Sequence, residues 1–193
     1  MSELILLDVD QSRRMDEDEK LVLAAQHNPA EFKPLYLKWL KQVYRYFYFR
    51  VGNARDAEDL TSQVFLKAYE DLPRYRSRGC FSAWLFSIAH ARAVDFYRRG
   101  TREVSLEELS LTGVSPDLLS QAAHNLEIQE MLARVRSLPE EEQELIRLRF
   151  MGELSYREIG LVLHRSEEAV RKSISRLLDR LQSQLEVHDD EIL

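Results

Sequence analysis

The sequence has 193 residues, of which 45% are hydrophobic, and a formal net charge of −6 at pH 7. This length suits one medium domain or two small ones, and the apolar fraction supports a packed core and excludes wholesale disorder. With only 6 glycines and 5 prolines, the chain lacks the turn residues that β-sandwiches and barrels need. Its recurring Leu, Glu, Arg and Ala favour an all-α fold.

Cysteine content and the N-terminus exclude further classes of protein. Cys80 is the single cysteine, so neither an intramolecular disulfide nor a CxxC zinc motif can form. The short apolar cluster at residues 4–7 has acidic flanks and no small-residue cleavage site, which predicts neither a signal peptide nor membrane insertion. We therefore expect a cytoplasmic protein.

Charge is distributed unevenly along the chain. Residues 73–102 carry seven Arg and one Asp, a local balance of +6, whereas residues 103–126 carry four acids and no Lys or Arg. Such asymmetry indicates separate surfaces with separate partners, despite the acidic total.

The first 100 residues predict an N-terminal extension, 1–15, and a four-helix domain, 16–100. An acidic run at 16–19 begins a helix that reaches about His27, with acids at the positive end of its dipole. The run Asn28-Pro29-Ala30-Glu31 predicts the start of a second helix, which ends near Gly52. Apolar residues at spacings of three and four give that helix one buried face, formed by Phe32, Leu35, Tyr36, Trp39, Val43 and Phe47.

Asn53 or Asp56 caps the third helix, and Pro73 closes it. Its apolar face comprises Leu60, Val64, Phe65, Ala68, Tyr69 and Leu72. A basic loop over 74–80 leads into a fourth helix from about Ser82 to Arg99, with Gly100 as its stop signal.

Residues 101–124 predict a flexible linker, because Gly113, Pro116 and serines interrupt any periodicity. A second helical domain follows over 125–185, with an acidic tail at 186–193. Its first helix carries Ile128, Met131, Leu132 and Val135, and a second begins at Leu138-Pro139, carries Leu145, Ile146 and Leu148, and stops at Gly152.

The end of this domain predicts a helix-turn-helix. Ser155 and Glu158 fit the capping box of a short helix over 156–163. Ser166 caps a longer helix whose buried side carries Val170, Ile174, Leu177 and Leu181. A short and a long helix separated by His164-Arg165 are typical of the motif. The alternative is that the charged face of the second helix is only solvated. The capped pair of helices, the short turn and the basic outer face favour DNA binding instead, because the outer side chains can reach phosphates and base edges. These side chains are Glu168, Arg171, Lys172, Ser175 and Arg176.

Basic and aromatic residues alternate around the fourth helix. Such interleaving suits single-stranded nucleic acid, whose unstacked bases lie against rings. The alternative is that Trp84, Leu85 and Ile88 are core and the arginines keep the surface soluble; we expect Trp84 to be at least partly core. Eight aromatic residues lie between Phe32 and Phe49; those at helical spacing are interpreted as core and the rest as partly exposed, in preference to a cofactor site.

Three motifs, in order, resemble those of extracytoplasmic-function sigma factors, the smallest group of the bacterial sigma family. Residues 56–69 (DAEDLTSQVFLKAY) resemble the motif that binds core polymerase. Residues 81–89 (FSAWLFSIA) resemble the family's −10 segment, and they are followed by Arg92, Asp95 and Arg98-Arg99. Four further segments resemble parts of the family's −35 domain: Leu138-Pro139-Glu140, Gly152, residues 154–160 (LSYREIG) and Val170-Arg171. The match covers about residues 20–183, with a linker where the family has one.

The resemblance implies a sigma factor that binds core RNA polymerase and directs promoter-specific initiation, with no catalytic residue, cofactor or metal. The β flap would be one contact of the polymerase, and docking on its β′ clamp helices would involve Asp56, Asp59, Leu60, Gln63 and Phe65. The alternative is that Leu60, Phe65 and Tyr69 are bundle core and Asp56 is only a cap; we expect both to hold in part, because the helix must pack as well as dock. The −10 strand would meet Arg74, Arg76, Arg78, Phe81, Trp84, Arg92, Arg98 and Arg99. The −35 element would meet Arg165, Glu168, Arg171, Lys172, Ser175 and Arg176. An anti-sigma factor is a further implied partner.

The chain departs from the family's pattern in the recognition helix. Glu168-Ala169 stand where the family often has Gly-Thr, Lys172-Ser173 stand where it often has Ser-Arg, and Gly160 replaces a usual Ala. A factor that binds DNA within a polymerase complex need not be basic overall. We therefore expect the free chain to bind duplex promoter DNA poorly at physiological salt.

Two other classes of function compete with this one. A stand-alone helix-turn-helix regulator with an N-terminal sensing bundle would predict dimerisation and a palindromic site, but it leaves the DAEDL stretch unexplained. An enzyme is disfavoured because the five histidines are scattered and no HExxH, GxSxG or P-loop occurs. Basic surroundings could lower the pKa of Cys80 and make it a redox sensor, although a passive thiol is the favoured interpretation.

Overall fold

The computed structural model describes residues 17–76, 80–100 and 135–190, and it describes the backbone alone at 99–100 and 184–190. Every regular element in this part of the chain is helical, which confirms the all-α prediction. The predictions for residues 1–15, Arg78, the linker 101–124 and the helix through Ile128, Met131 and Leu132 lie outside the described residues, as do the side chains of the acidic tail.

Helices α1 to α4 form the N-terminal domain. They are α1 over residues 17–27, α2 over Phe32–Val51, α3 over Ala54–Asp71 and α4 over Phe81–Gly100. Short 3₁₀ turns at Pro29–Glu31 and Leu72–Arg74 precede α2 and follow α3. The C-terminal domain has helical residues at 135–137, then α5 over Glu140–Ile146, a π-helical turn over Arg147–Met151, α6 over Tyr156–Leu163 and α7 over Glu167–Asp190.

Side-chain caps define most helix starts where the sequence predicted them. Asn28 Oδ1 accepts a hydrogen bond from the Ala30 N–H at 3.2 Å, although a 3₁₀ turn, rather than the α-helix, starts there. Of the two candidates for α3, Asn53 is the cap, because its Oδ1 accepts from the Asp56 N–H at 2.9 Å. The capping box at Ser155 is confirmed. Gly52 ends α2 with φ at 77°, in the left-handed region that favours glycine.

The core of the N-terminal domain is built on aromatic residues of α2. Trp39, Tyr46 and Phe47 are buried, and Phe86 of α4 lies edge-on to both Trp39 and Tyr46. Most aromatic residues of this run are therefore core, while Phe49 is exposed and Tyr44 is half-buried. Tyr36 and Tyr69 were predicted on apolar faces but lie at the rim of the bundle, exposed, with their rings edge-on to Phe65 and Phe32. A tyrosine suits that position because its ring packs while its hydroxyl meets water.

The helix-turn-helix forms as predicted, and a glycine brings its two helices together. A Cβ added to Gly160 would lie 2.6 Å from the carbonyl oxygen of Arg165, so only glycine fits this approach. His164 has φ at 55°, and the Arg165 N–H donates to the Gly160 carbonyl at 2.9 Å. Gly160, which stands where the family usually has alanine, thus lies against the close turn at His164-Arg165.

The two domains pack against each other, which the sequence analysis did not predict. Helix α4 lies against α6, and α2 lies against the π-helical turn. Buried residues of both domains, among them Phe86, Leu148 and Ile159, belong to one continuous hydrophobic core. Each element of one domain that meets the other therefore buries apolar surface that would otherwise face water.

Candidate nucleic-acid and protein interfaces

The outer face of α3 presents polar residues around one leucine. Asp59, Gln63 and Leu66 follow one another at spacings of four and three, and the Gln63 amide donates to Asp59 Oδ2 at 2.6 Å. Leu66 is 61% exposed, the largest value among the exposed large hydrophobic residues that the structure describes. An exposed apolar side chain with a polar rim is the usual composition of a protein-binding surface.

The residues predicted to bind polymerase divide into two groups. Asp59 is exposed and Gln63 is half-buried on the outer face of α3. Leu60 and Phe65 are buried on its inner face, and the Asp56 carboxylate accepts from the Asn53 amide at 2.8 Å. The structure thus brings Asp59 and Gln63 to the surface and places Leu60 and Phe65 in the bundle.

Sequence reasoning missed Leu66. Its signal was available, because this leucine lies off the apolar stripe that runs through Leu60 and Val64. A single exposed leucine is common on protein surfaces, so Leu66 becomes informative only together with the polar residues beside it.

An aromatic cluster lies at the start of α4. The rings of Tyr75 and Trp84 have centroids 4.6 Å apart, and Phe81 lies edge-on to Tyr75 at 6.0 Å. Trp84 is half-buried, as expected, but Phe81 is buried and faces the core rather than solvent. Phe81 therefore supports the two outer rings from beneath, and Tyr75 is an aromatic surface residue that the sequence reasoning did not single out.

The backbone that carries Tyr75 is bound to the body of the domain. Gln26 Nε2 of α1 donates to two carbonyl oxygens, Leu72 at 2.9 Å and Tyr75 at 2.7 Å. Arg74 and Arg76 flank Tyr75 and are exposed. Two hydrogen bonds from one amide thus fix the backbone from which these arginines extend.

The predicted cations of α4 lie further along the helix. Arg92 is half-buried and Arg98 is exposed, while Arg78 and the side chain of Arg99 lie outside the described residues. Val94 and Tyr97 are exposed between them, at 45% and 44%. This surface combines positive charge with apolar area, as single-stranded nucleic acid requires.

The outer face of α7 and the turn before it carry the predicted −35 residues. Arg165, Glu168, Arg171, Lys172, Ser175 and Arg176 are all exposed. Two of the cations pair with glutamates one turn earlier: Arg171 with Glu167 at 2.6 Å, and Lys172 with Glu168 at 2.7 Å. Exposed pairs of this kind contribute less than about 1 kcal/mol, so the cations can exchange the carboxylates for phosphates.

Neighbouring residues orient the two arginines of this motif. The guanidinium of Arg171 lies 5.5 Å from the centroid of the Tyr156 ring, which also meets Arg149 at 4.7 Å. Arg165 donates to the Ser173 hydroxyl at 2.7 Å. Tyr156 was not singled out in the sequence, and it places Arg171 through a cation–π contact.

Cys80 is a buried thiol. Burial raises its pKa, the nearby Glu158 carboxylate raises it further, and Arg157 acts in the opposite direction. Because the thiolate is the reactive form, the alternative of a redox sensor with a lowered pKa is not supported.

No group of three His, Cys, Asp or Glu residues in the described ranges is arranged to hold a metal ion. None of the helices described combines the length and apolar character that crossing a bilayer requires.

Comparison with known proteins identifies relatives of both domains. The chain matches the family Sigma-70 region 2 over residues 35–103 and the family Sigma-70, region 4 over residues 128–181. It is 34% identical over 183 residues to the ECF RNA polymerase sigma factor BldN of Streptomyces coelicolor, which covers 89% of this chain and 68% of that protein. It is 27% identical over 150 residues to the ECF RNA polymerase sigma factor SigM of Bacillus subtilis, covering 77% and 91%.

Two solved structures share the fold. CnrH, in complex with the cytosolic domain of CnrY, has a TM-score of 0.63 at 24% identity and covers 88% of this chain and 97% of its own. The sigma factor RpoE of Bartonella quintana, in complex with the anti-sigma factor NepR, has a TM-score of 0.64 at 22% identity and covers 81% and 98%. At these identities the two likenesses show the fold alone.

Proposed function

Since the chain belongs to the ECF RNA polymerase sigma factors, we propose which of its surfaces meets the polymerase and which meets each promoter element. The chain is a sigma factor that directs promoter-specific transcription initiation through regions 2 and 4. Sigma factors bind core RNA polymerase and promoter DNA and are not enzymes. Membership in this family decides against the stand-alone regulator and the enzyme considered from the sequence.

The outer face of α3 binds the β′ clamp helices of the polymerase. Asp59, Gln63 and Leu66 make the contact, with the leucine at its apolar centre. Leu60 and Phe65 act indirectly by holding α3 on the bundle, and Asp56 acts through the Asn53 cap. The C-terminal domain contacts the β flap. The exposed leucine beside a hydrogen-bonded Asp–Gln pair is the observation that carries this assignment.

The −10 element binds the basic surface around the start and outer side of α4. Trp84, supported by Tyr75 and Phe81, stacks on unpaired bases of the non-template strand. The arginines neutralise the backbone of that strand, and they are Arg74, Arg76, Arg78, Arg92, Arg98 and Arg99. The Gln26 hydrogen bonds support this role because they fix the backbone at Leu72 and Tyr75, next to Arg74 and Arg76.

The −35 element binds the outer face of α7 in the major groove. Arg171, Lys172 and Arg176 reach phosphates or guanine edges, Ser175 bonds either, and Glu168 accepts from cytosine N4. Arg165 contacts the backbone at the turn. The capped turn and the Tyr156–Arg171 contact support this assignment.

An anti-sigma factor is a further partner, and the site of action is the cytoplasm, where core polymerase and promoter DNA meet. CnrH and RpoE were solved in complex with the cytosolic domain of CnrY and with the anti-sigma factor NepR. The domain boundaries that accompany this function are 16–100 for core and −10 binding, a linker at 101–124, and 125–185 for −35 binding.

A run-off transcription assay tests the assignment of α3. Purified bacterial core polymerase is combined with the chain and a pool of promoter fragments, and Leu66→Asp or Asp59→Arg is expected to abolish the new transcripts. The matched control is Leu37→Asp, because Leu37 is 59% exposed but belongs to a different helix, α2. Equal loss with Leu37→Asp and Leu66→Asp would contradict the assignment.

A further inference from the structure

One side-chain amide of α1 holds the turn that follows α3. Gln26 Nε2 donates to the Leu72 carbonyl at 2.9 Å and to the Tyr75 carbonyl at 2.7 Å. Both partners are acceptors, so only the amide nitrogen of Gln26, with its two N–H bonds, can serve them together. A carboxylate of the same size has no donor, and asparagine is one methylene shorter. The two contacts therefore require a long side chain that donates.

The two carbonyl groups lie where α3 gives way to extended chain. The 3₁₀ turn at Leu72–Arg74 ends at Tyr75, whose backbone is extended with φ at −63° and ψ at 125°. The Tyr75 N–H still donates back to the carbonyl oxygens of Asp71 and Leu72, at 3.1 and 3.0 Å. Because the helix has ended there, no following helical turn offers an N–H to the Tyr75 carbonyl. Gln26 supplies that donor, and it thereby fixes the direction in which the chain leaves α3.

Helix α1 is itself fixed to α2 at its start. Asp18 is buried, its carboxylate lies 2.9 Å from Lys38 Nζ, and it accepts a hydrogen bond from Trp39 Nε1 at 3.3 Å. Further along α1, Val22 is buried in the core of the domain. The helix is thus held at both ends and packed between them, so the amide that it presents to the turn has a defined position.

The turn lies against the ring to which the proposed function assigns unpaired bases. The ring centroids of Tyr75 and Trp84 are 4.6 Å apart. Arg74 and Arg76, on either side of Tyr75, are exposed. The carbonyl that Gln26 holds belongs to the same residue whose ring packs on Trp84. A shift of this backbone would therefore move the supporting ring and both arginines together.

The match to Sigma-70 region 2 covers residues 35–103 and leaves out α1. The turn and Trp84 lie inside the matched part, whereas the amide that holds the turn lies outside it. A role for α1 in promoter recognition is therefore not implied by that match and follows from the hydrogen bonds alone.

We infer that Gln26 is a positioning residue for recognition of the −10 element, because its amide holds residues 72–76 in the conformation that the single strand requires. The inference rests on the proposed function, in which this turn and Trp84 meet the −10 strand. A surface arranged before binding loses less conformational freedom when the strand arrives. Base discrimination depends on this arrangement more than attraction to phosphates does, since only contacts with the bases carry sequence information.

Binding of the holoenzyme to a labelled single strand tests this inference. One oligonucleotide carries the non-template −10 sequence of a promoter found in the run-off assay, and a second carries a single base substitution. Fluorescence anisotropy gives the affinity for each, and the ratio of the two affinities measures base discrimination. Gln26→Met keeps the length of the side chain and removes both donors. It is expected to bind the −10 strand about tenfold more weakly, a factor that two hydrogen bonds can supply, and to discriminate less between the two strands.

Two further variants and one control isolate the amide. Gln26→Glu keeps the size of the side chain but cannot donate, and it is expected to behave like Gln26→Met. Gln26→Lys can donate and is expected to restore base discrimination, which its added charge alone would not do. The control is Ala24→Met, which places the same new side chain at an exposed position of α1 and should bind like wild type. Affinity for core polymerase should be unchanged in every variant, and circular dichroism checks that each keeps its helices.

The outcomes separate this inference from the assignment of the −10 surface. Wild-type affinity and discrimination in both Gln26→Met and Gln26→Glu would overturn the inference, as would an equal loss in Ala24→Met. A parallel loss of binding to core polymerase would also contradict a role confined to the −10 element. Unchanged binding of the −10 strand by Trp84→Ala would refute the −10 surface itself. Weaker binding by Trp84→Ala with no effect of Gln26→Met would refute the inference alone.

Discussion

Gly160→Ala tests whether the close turn of the helix-turn-helix requires a glycine. The added carbon would lie 2.6 Å from the Arg165 carbonyl oxygen, about 0.7 Å inside an ordinary carbon–oxygen contact. The obstacle is backbone, so the turn itself must move, and the hydrogen bond from the Arg165 N–H to the Gly160 carbonyl must lengthen. Overpacking of this kind costs about 1–3 kcal/mol. Alanine recovers up to about 1 kcal/mol through its higher helix propensity.

With about 2 kcal/mol of overpacking, less up to about 1 kcal/mol of helix propensity, the net expectation is a destabilisation of about 1–2 kcal/mol, or a fall in Tm of about 2–8 °C. Thermal unfolding followed by circular dichroism measures it. Leu161→Ala, at the exposed neighbouring position, is the control and should stay within about 0.5 kcal/mol of wild type. A Tm for Gly160→Ala equal to or above that of wild type would refute the steric argument.

Three further predictions concern charge and reactivity. Burial alone would raise the pKa of Glu144, but hydrogen bonds from His90 and Tyr46 and the charge of Arg50 hold that pKa below its ordinary value. The stability that this carboxylate contributes is therefore complete above about pH 4.5 and is lost as the pH falls toward the lowered pKa. The stability of the folded chain, measured as Tm by circular dichroism at a series of pH values, should fall in this range in wild type and change less in Glu144→Gln. Cys80 should react with a thiol reagent at pH 8 at least tenfold more slowly than in the denatured chain, because burial raises its pKa; equal rates would contradict its burial. Arg74→Ala should reduce the salt dependence of −10 single-strand binding by about one ion in holoenzyme complexes, and an unchanged slope would exclude a phosphate contact.

The sequence predicted the features that depend on neighbouring residues. The caps at Asn28, Ser155 and Ser166 lie where the pattern placed them, because a cap requires only a short polar side chain and the N–H groups two or three residues later. The buried side of α7 was also predicted correctly, because the spacing of apolar residues along a helix determines which side is buried.

The contact between the domains could not be predicted in this way. Glu144 follows three other glutamates, and nothing local distinguishes it from Glu142, which stays nearer the surface. Its partner Arg50 lies 94 residues earlier, and α2 carries other cations with similar neighbours. Burial of a charged residue is decided by tertiary packing, whereas sequence patterns report the preferences of single elements.

The exposure of the candidate residues followed the sequence pattern in outline, and individual side chains departed from it. Phe81 belongs to the same stretch as Trp84, and the sequence gives no means to tell which of the two rings turns inward. The π-helical turn after α5 has no residue signature comparable to a cap. Leu66 was overlooked because an isolated exposed leucine becomes informative only when the rest of the face is known to be polar.

The glutamates at the start of α7 have a consequence for how the chain searches a genome. Phosphates that approach Arg171 or Lys172 must first displace a carboxylate that already neutralises it. Binding to any random stretch of duplex DNA therefore includes the free-energy cost of displacing these carboxylates. Only a site whose base edges bond the same side chains offsets that cost. A chromosome offers about 10⁶ or more random sites for each promoter. The paired cations therefore reduce the time that this chain spends on DNA that no polymerase will transcribe from.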